Sequence, residues 1–343
     1  MPRSRPLLLS ALLLLSTIGL VQAGPYPNTS NFGTPFSEDE SWYRHCMRVA
    51  QRSAPGLSGA RAPAPRCNAS QLYYDKRSQA ATSAAQWRQV RECALAQEDD
   101  AVLMMLYANG FGVPKDSGIA IHHACKLEFI AKAEMEARIA RLAGPQRPGA
   151  VFDQCDDITS GYMGGVCAGI QQHQAQRSRQ ARLDRLAHTL PPPARRALAH
   201  LRLAAGRYAA AAETDMQGTA AAARAIAHEA AIQAQFAATL ARVLDNDLPI
   251  ASPQDLARID RQLNAAYRRL MSPLPSETEN PERIGQSTIT RKDLRQAERR
   301  WIAYRDAFIA FRAQLDSGPS PAAIGATLTG QRLGELEGLA RYR

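Results

Sequence analysis

The clearest pattern lies near the C-terminal end. Leu294, Ala297, Trp301, Tyr304, Phe308 and Phe311 recur at alternating spacings of three and four residues, the packing period of helices in a bundle. Thr290 precedes the run and Asp293 falls in its first turn, as in a capped helix start. A second stripe, Leu256, Ile259, Leu263, Tyr267 and Leu270, follows Ser252-Pro253, a cap residue with proline at the first helical position. A last helix is expected from about Thr329 to Arg341, carrying Leu333, Leu336 and Leu339. Upstream, Thr219 to Leu244 is rich in alanine, the residue of highest helix propensity. A helix opening at Pro191-Pro192-Pro193 should run towards Met216, with Gly218 breaking the pattern before the alanine-rich stretch. Trp87, Val90 and Cys93 mark a helix beginning near Ala84. The apolar run Val102 to Ala108 ends at Asn109-Gly110, where a left-handed residue closes a helix easily. Asp116 then caps a partner helix, Ser117 to Lys126. No segment alternates as a strand does. The expected fold class is all-α: a helical hairpin followed by a disulfide-clamped helical bundle.

The first residues follow a different logic. Arg3 and Arg5 precede an apolar stretch, Leu7 to Leu20, and Val21-Gln22-Ala23 places small residues for a cut after Ala23. That is the layout of a secretory signal peptide over residues 1–23. A membrane anchor is the competing reading, but the apolar run is short of the ~20 residues a span needs. The chain is therefore expected to be periplasmic or secreted, with no transmembrane span. Residues 24–66 read as a poorly ordered, loop-rich segment: 24–40 are rich in proline, serine and asparagine, and 52–66 in proline, glycine and alanine. Residues 67–142 read as helical. Ala143 to Gly149 is the best linker, and 150–343 forms a second unit.

Export changes the meaning of the cysteines. All six, Cys46, Cys67, Cys93, Cys125, Cys155 and Cys167, lie in the first half, and an even number in an exported chain implies disulfides. Cys155, Thr159, Met163 and Cys167 are evenly spaced, and residues four apart share a face on a helix. This short local loop makes Cys155–Cys167 the first pairing to expect. Cys67–Cys93 is the second, which leaves Cys46 with Cys125. His122-His123-x-Cys125 lacks the paired spacing of a structural zinc site. No metal or cofactor is expected.

Charge adds little. The formal net charge is +10, and arginines spread along helices beside Asp and Glu read as a solvated helical surface. Basic character favours anionic partners, but no nucleic-acid motif is present.

Two resemblances carry the functional expectation. The run LYANGFGVPKDSGIAI resembles the turn of a SEL-type repeat, a tetratricopeptide-like helix pair that in its family mediates protein contacts. Cys155, Thr159, Met163 and Cys167, then Asp260, Leu263, Asn264 and Tyr267, then Trp301, Tyr304, Arg305 and Asp306, and finally Gln331, Arg332 and Leu336 together resemble the LprI-like lysozyme inhibitors of the bacterial envelope. The resemblance implies a disulfide-clamped helical domain over 150–343, split here by a helical insertion at 172–252. It also implies a non-enzymatic protein that binds a protein partner, lysozyme or another envelope protein. The alternative is a periplasmic scaffold built on the SEL-type hairpin.

Because animal lysozymes are basic, acidic groups are the binding candidates: Asp153, Asp156 and Asp157 beside the cysteine clamp, and Glu335. Trp301, Tyr304, Phe308 and Phe311 read as core, Arg305 and Asp306 as structural, and Glu298 as a surface ion pair. Catalysis finds no support: Gly-x-Ser-x-Gly, His-Glu-x-x-His and the P-loop are all absent.

Overall fold

The computed structural model describes residues 25–52, 54–55, 67–145, 147, 149–277 and 279–343. Residues 1–23, expected from the sequence to be a signal peptide, lie outside the described residues. Among the described residues the chain forms twelve α-helices and no strand, so the protein is all-α. The helices gather around two apolar cores.

The first core is built by α1 (Ser41–Val49), α2 (Ala69–Arg77), α3 (Ala84–Ala96), α4 (Asp100–Asn109), α5 (Ser117–Ala124) and α6 (Lys132–Ala143). Its centre is α4, whose residues Val102 to Ala108 are all buried. Asp99 caps α4 through the Val102 N–H, and Gly110 closes it in the left-handed conformation at φ 72°. Asp116 caps α5. Cys46–Cys125 and Cys67–Cys93 fasten this region, and Cys155–Cys167 fastens the segment that follows.

The second core lies among α8 (Pro192–Ala209), α9 (Ala221–Leu244), α10 (Pro253–Met271), α11 (Arg291–Arg312) and α12 (Pro321–Leu339). The whole 3-4 seam of α11, Leu294 to Phe311, is buried. Ser252 with Asp255 and Thr290 with Asp293 form reciprocal capping boxes at α10 and α11.

Between the cores runs α7 (Gly161–Thr189), 29 residues and so about 44 Å long. Ile170 packs on the first core, whereas Leu183, Leu186 and Ala187 pack on the second. α7 and α9 lie parallel: Gly161 faces Thr219, Gly165 faces Ala222, and Arg179 reaches Gln233. At Gly161 a Cβ would sit 1.9 Å from the Thr219 carbonyl oxygen, so only glycine allows this approach. No helix among the described residues is long and apolar enough to cross a membrane.

Five expectations need correction. Residues 24–66 are not simply loop: α1 lies there, with Trp42 and Cys46 buried and Phe32 packed edge-on to Trp42. Cys155 and Thr159 do not share a helix face with Met163 and Cys167. The Ser160 hydroxyl caps the Met163 N–H and starts α7 at Gly161, so the disulfide ties a turn to a helix. α8 stops at Ala209, well short of Met216. α12 starts at Pro321, because Ser320 caps the Ala323 N–H. Packing also continues across 143–149, since Phe152 is buried in the first core.

Candidate functional site

The most concentrated chemistry lies where α12 crosses α8 and α11. Arg332 of α12 is 1% exposed. Its two terminal nitrogens grip both oxygens of Glu213 at 2.8 and 3.2 Å; its Nε donates to Glu298 at 3.1 Å and its Nη1 to Glu335 at 2.9 Å. A planar fork of donors suits such a bidentate grip. Tyr208 lies under the guanidinium, 5.7 Å from ring centroid to Cζ, and donates its hydroxyl to Glu335. Tyr304 stacks on Tyr208 at 5.6 Å.

The electrostatics follow from burial and partners. Burial works against the charge of Arg332, yet Glu213, Tyr208 and Glu335 outweigh it and hold the guanidinium firmly protonated. Burial raises the Glu298 carboxyl, with Arg332 pulling the other way. Burial also pushes the Tyr208 hydroxyl well above its ordinary value. Three carboxylates thus share one cation.

Glu298 is therefore a buried partner, not a surface ion pair. The sequence held the signal: Glu298 follows Leu294 by four and precedes Trp301 by three, which puts it on the buried stripe. Glu213 gave no such sign.

Two carboxylates of this node, Glu213 and Glu335, reach the lining of a cleft. Two adjoining hollows of about 480 and 640 Å³ share Glu213, Thr214, His228 and Ile289. Glu229 and Asp293 line one, Asp215 and Glu335 the other. Arg224 and Arg341 are its basic members, and Arg224 donates to the backbone carbonyls of Asp215 and Gln217. Asp215 accepts from the Thr288 N–H and hydroxyl, both at 3.0 Å, which keeps its carboxyl below the ordinary range.

A second ionic knot ties the loop after α10 to the start of α11 and to Arg343. Glu277 accepts from the N–H groups of Leu274 and Gly285 and from Arg291 and Arg343. These contacts, Arg343 foremost, depress its carboxyl. Gly285 has φ 54°, and a Cβ there would meet the Tyr342 carbonyl oxygen at 2.0 Å. The loop 272–290 and the chain end are thus one packed unit.

The remaining motif residues hold helices together. Asp260 accepts from the Thr329 hydroxyl at 3.2 Å and lies 3.8 Å from Arg305, which spreads over Trp301 and pairs with Asp306. Asn264 donates to the Asp260 carbonyl, and Gln331 to the Thr239 hydroxyl. Leu263, Trp301 and Tyr304 are buried, Tyr267 partly so. Thr159 and Ser160 donate their N–H groups to the buried Glu134, and Met163 is buried. The clamp therefore sits on the first core.

The acidic candidates divide. Asp153 binds Tyr74, Arg77 and the Cys155 N–H; Asp156 and Asp157 share Arg141. All three tether the clamp segment to α2 and α6. Glu335 alone belongs to the cleft. Cys125 is oxidised with Cys46, His122 faces the Val49 carbonyl, and His123 pairs with Asp100. Among the described residues no group of three His, Cys, Asp or Glu is placed to hold a metal.

One comparison with known proteins bears on this geometry. Residues 245–337 match the family model Lysozyme inhibitor LprI. No curated protein and no solved structure matches the chain. The LprI-matching segment runs from the end of α9 through most of α12. It contains Glu277, Glu298, Arg332 and Glu335, but not the cysteine clamp, the α4–α5 hairpin or Glu213. It also carries equal numbers of acidic and basic side chains.

Proposed function

We propose that the protein is an exported, non-enzymatic inhibitor of the lysozyme-binding kind, and that the cleft lined by Glu213 and Glu335 receives basic groups of the partner. The match of residues 245–337 to the LprI family carries the reading. The cleft supports it. Its carboxylates, Glu213, Asp215, Glu229, Asp293 and Glu335, outnumber Arg224 and Arg341, and Glu213 and Glu335 already share Arg332 with the buried Glu298. Net charge, which opposes binding to a basic enzyme, is not a property of this region: the matched segment is balanced, and the excess lies elsewhere. Complementary local potentials govern encounter and register. A leader ending at Ala23 and three disulfides fit an oxidising compartment.

The scaffold reading has less behind it. The apolar residues of α4 are consumed in the first core, which leaves the hairpin no open face of its own there.

Loss of turbidity of labelled cell walls under lysozyme tests the reading, with the oxidised mature protein added at low and at physiological salt. Stoichiometric protection that survives physiological salt, and falls about tenfold in potency in Glu229→Lys, is the expected result. Glu229 is half-buried in the cleft and outside the Arg332 node, so this variant should fold. No protection at excess protein would reject the reading for that lysozyme class.

A further inference from the structure

The other open groove of the second core has the opposite character. It runs between the parallel helices α7 and α9 and encloses about 620 Å³. Its floor is apolar, with Leu183 and Leu186 of α7 facing Leu240 and Leu244 of α9. Along α9, Ala234, Ala238 and Ala241 are exposed, so a visiting backbone meets no bulky side chain. One wall holds Arg179 and Arg182, and no carboxylate lines the groove. Arg179 donates to Gln172 and Gln233, and only through Gln233 does it reach Glu229. Burial, and after it the repulsion of nearby Arg182, lowers the Arg179 basicity. The surroundings deepen the imbalance: α7 and α8 together carry eight arginines and one carboxylate, Asp184, which is taken by Arg202.

We propose that this groove docks an acidic amphipathic helix of a partner protein. From Ala175 to Leu186 the groove is about 16 Å long, three turns of helix. An apolar stripe at i, i+3, i+4 and i+7 would fill the leucine floor in helix-in-groove fashion. Glutamates beside the stripe would meet Arg179 and Arg182, whose charge has no carboxylate neighbour in the groove. The chain itself does not supply such a helix: residues 1–24 and 56–66 contain arginine and no carboxylate. A second copy on the same face would set these arginines against each other across the two-fold axis. A flat anionic bilayer would reach the arginines without filling the recessed floor.

The test uses the full oxidised chain and a fluorescent four-turn model peptide with leucine at those stripe positions and glutamate beside them. Its twin carries lysine in place of glutamate. Anisotropy should show the glutamate peptide binding about tenfold or more tighter than its twin, with affinity falling as salt rises. Arg182→Glu should reverse the preference. Ala238→Trp, which fills the groove at an exposed position, should abolish binding of both peptides. Equal binding of the two peptides, or binding unaffected by either substitution, overturns the proposal. So does binding to vesicles of anionic lipid together with no binding of the peptide.

Discussion

The two cores hold comparable numbers of helices by different means. Around the first, helices of 8 to 13 residues are joined by disulfides, and Cys46–Cys125 closes a separation of 79 residues. Around the second, helices of 18 to 24 residues contain no cysteine and are crossed by buried charge. Each core also has a buried arginine. Arg138 has one hydrogen bond, to the Gln154 carbonyl at 2.8 Å, and burial lowers its basicity. Arg332 has three carboxylates and stays firmly charged. Short helices bury too little each to stay associated unaided, so covalent ties suit them; long helices supply area, and the arginine sets their register. A buried ionic group of this sort costs desolvation and yields a unique arrangement only if fully partnered.

The comparison breaks most sharply where each core loses its tie. Replacing Cys46 and Cys125 by serine should destabilise the first core by about 4–5 kcal/mol in the chain-entropy picture, read as a lower urea midpoint for the tryptophans Trp42 and Trp87. Losing Cys155–Cys167, which spans 12 residues, should cost less, about 3 kcal/mol. In the second core, Arg332→Met strands Glu213 and Glu298 and should cost about 3–5 kcal/mol. Reduction of the disulfides should leave the Trp301 transition nearly unmoved, and Arg332→Met should leave the Trp42 transition nearly unmoved. If both transitions shift together in either experiment, the two cores are one cooperative unit.

A finer distinction comes from acid. The Glu277 carboxyl is depressed below its ordinary 4.5. Its stabilisation is present above that value and lost as pH falls through the lower folded one. The Glu298 carboxyl is raised; its effect has the opposite sign, favouring the fold below 4.5 and vanishing as pH rises through the raised value. Between pH 6 and 3, Glu277→Gln should therefore lose less stability than the parent on acidification, and Glu298→Gln should lose more. Urea midpoints against pH measure both, and equal slopes for the two variants would refute the assignment. The smallest effect expected is Thr290→Ala, which removes the hydroxyl half of the α11 capping box and should cost about 1 kcal/mol.

How far the sequence reached depends on whether the signal was local. α10 and α11 were legible because caps and stripes sit within a few residues of each other. Their boundaries fall at Ser252 and Thr290 in both reading and structure. The start of α12 was missed although Ser320-Pro321 repeats the Ser252-Pro253 signal. Gly325 and Gly330 occupy contact positions against Leu256 and Ile259, so the first half of α12 has few leucines to form a stripe. α1 was missed because its buried face is only Trp42 and Cys46. The Arg332 node was illegible for a different reason: Glu213 is 119 positions away, and no spacing rule spans that distance. Asp153, Asp156 and Asp157 looked free because their partners, Arg77 and Arg141, belong to other helices.

The position of Glu213 also decides where the molecule could be divided. Residues 245–337 form three long helices with caps at α10, α11 and α12, and on paper they resemble a transplantable module. Excised at Asp245, the piece would keep Glu298 and Glu335 but leave the forked end of Arg332 facing solvent where Glu213 had been. Tyr304 would lose its stack on Tyr208, and Phe308 its edge contact with Phe236. The recognisable segment is thus smaller than the folding unit, which must begin at least as far back as α8.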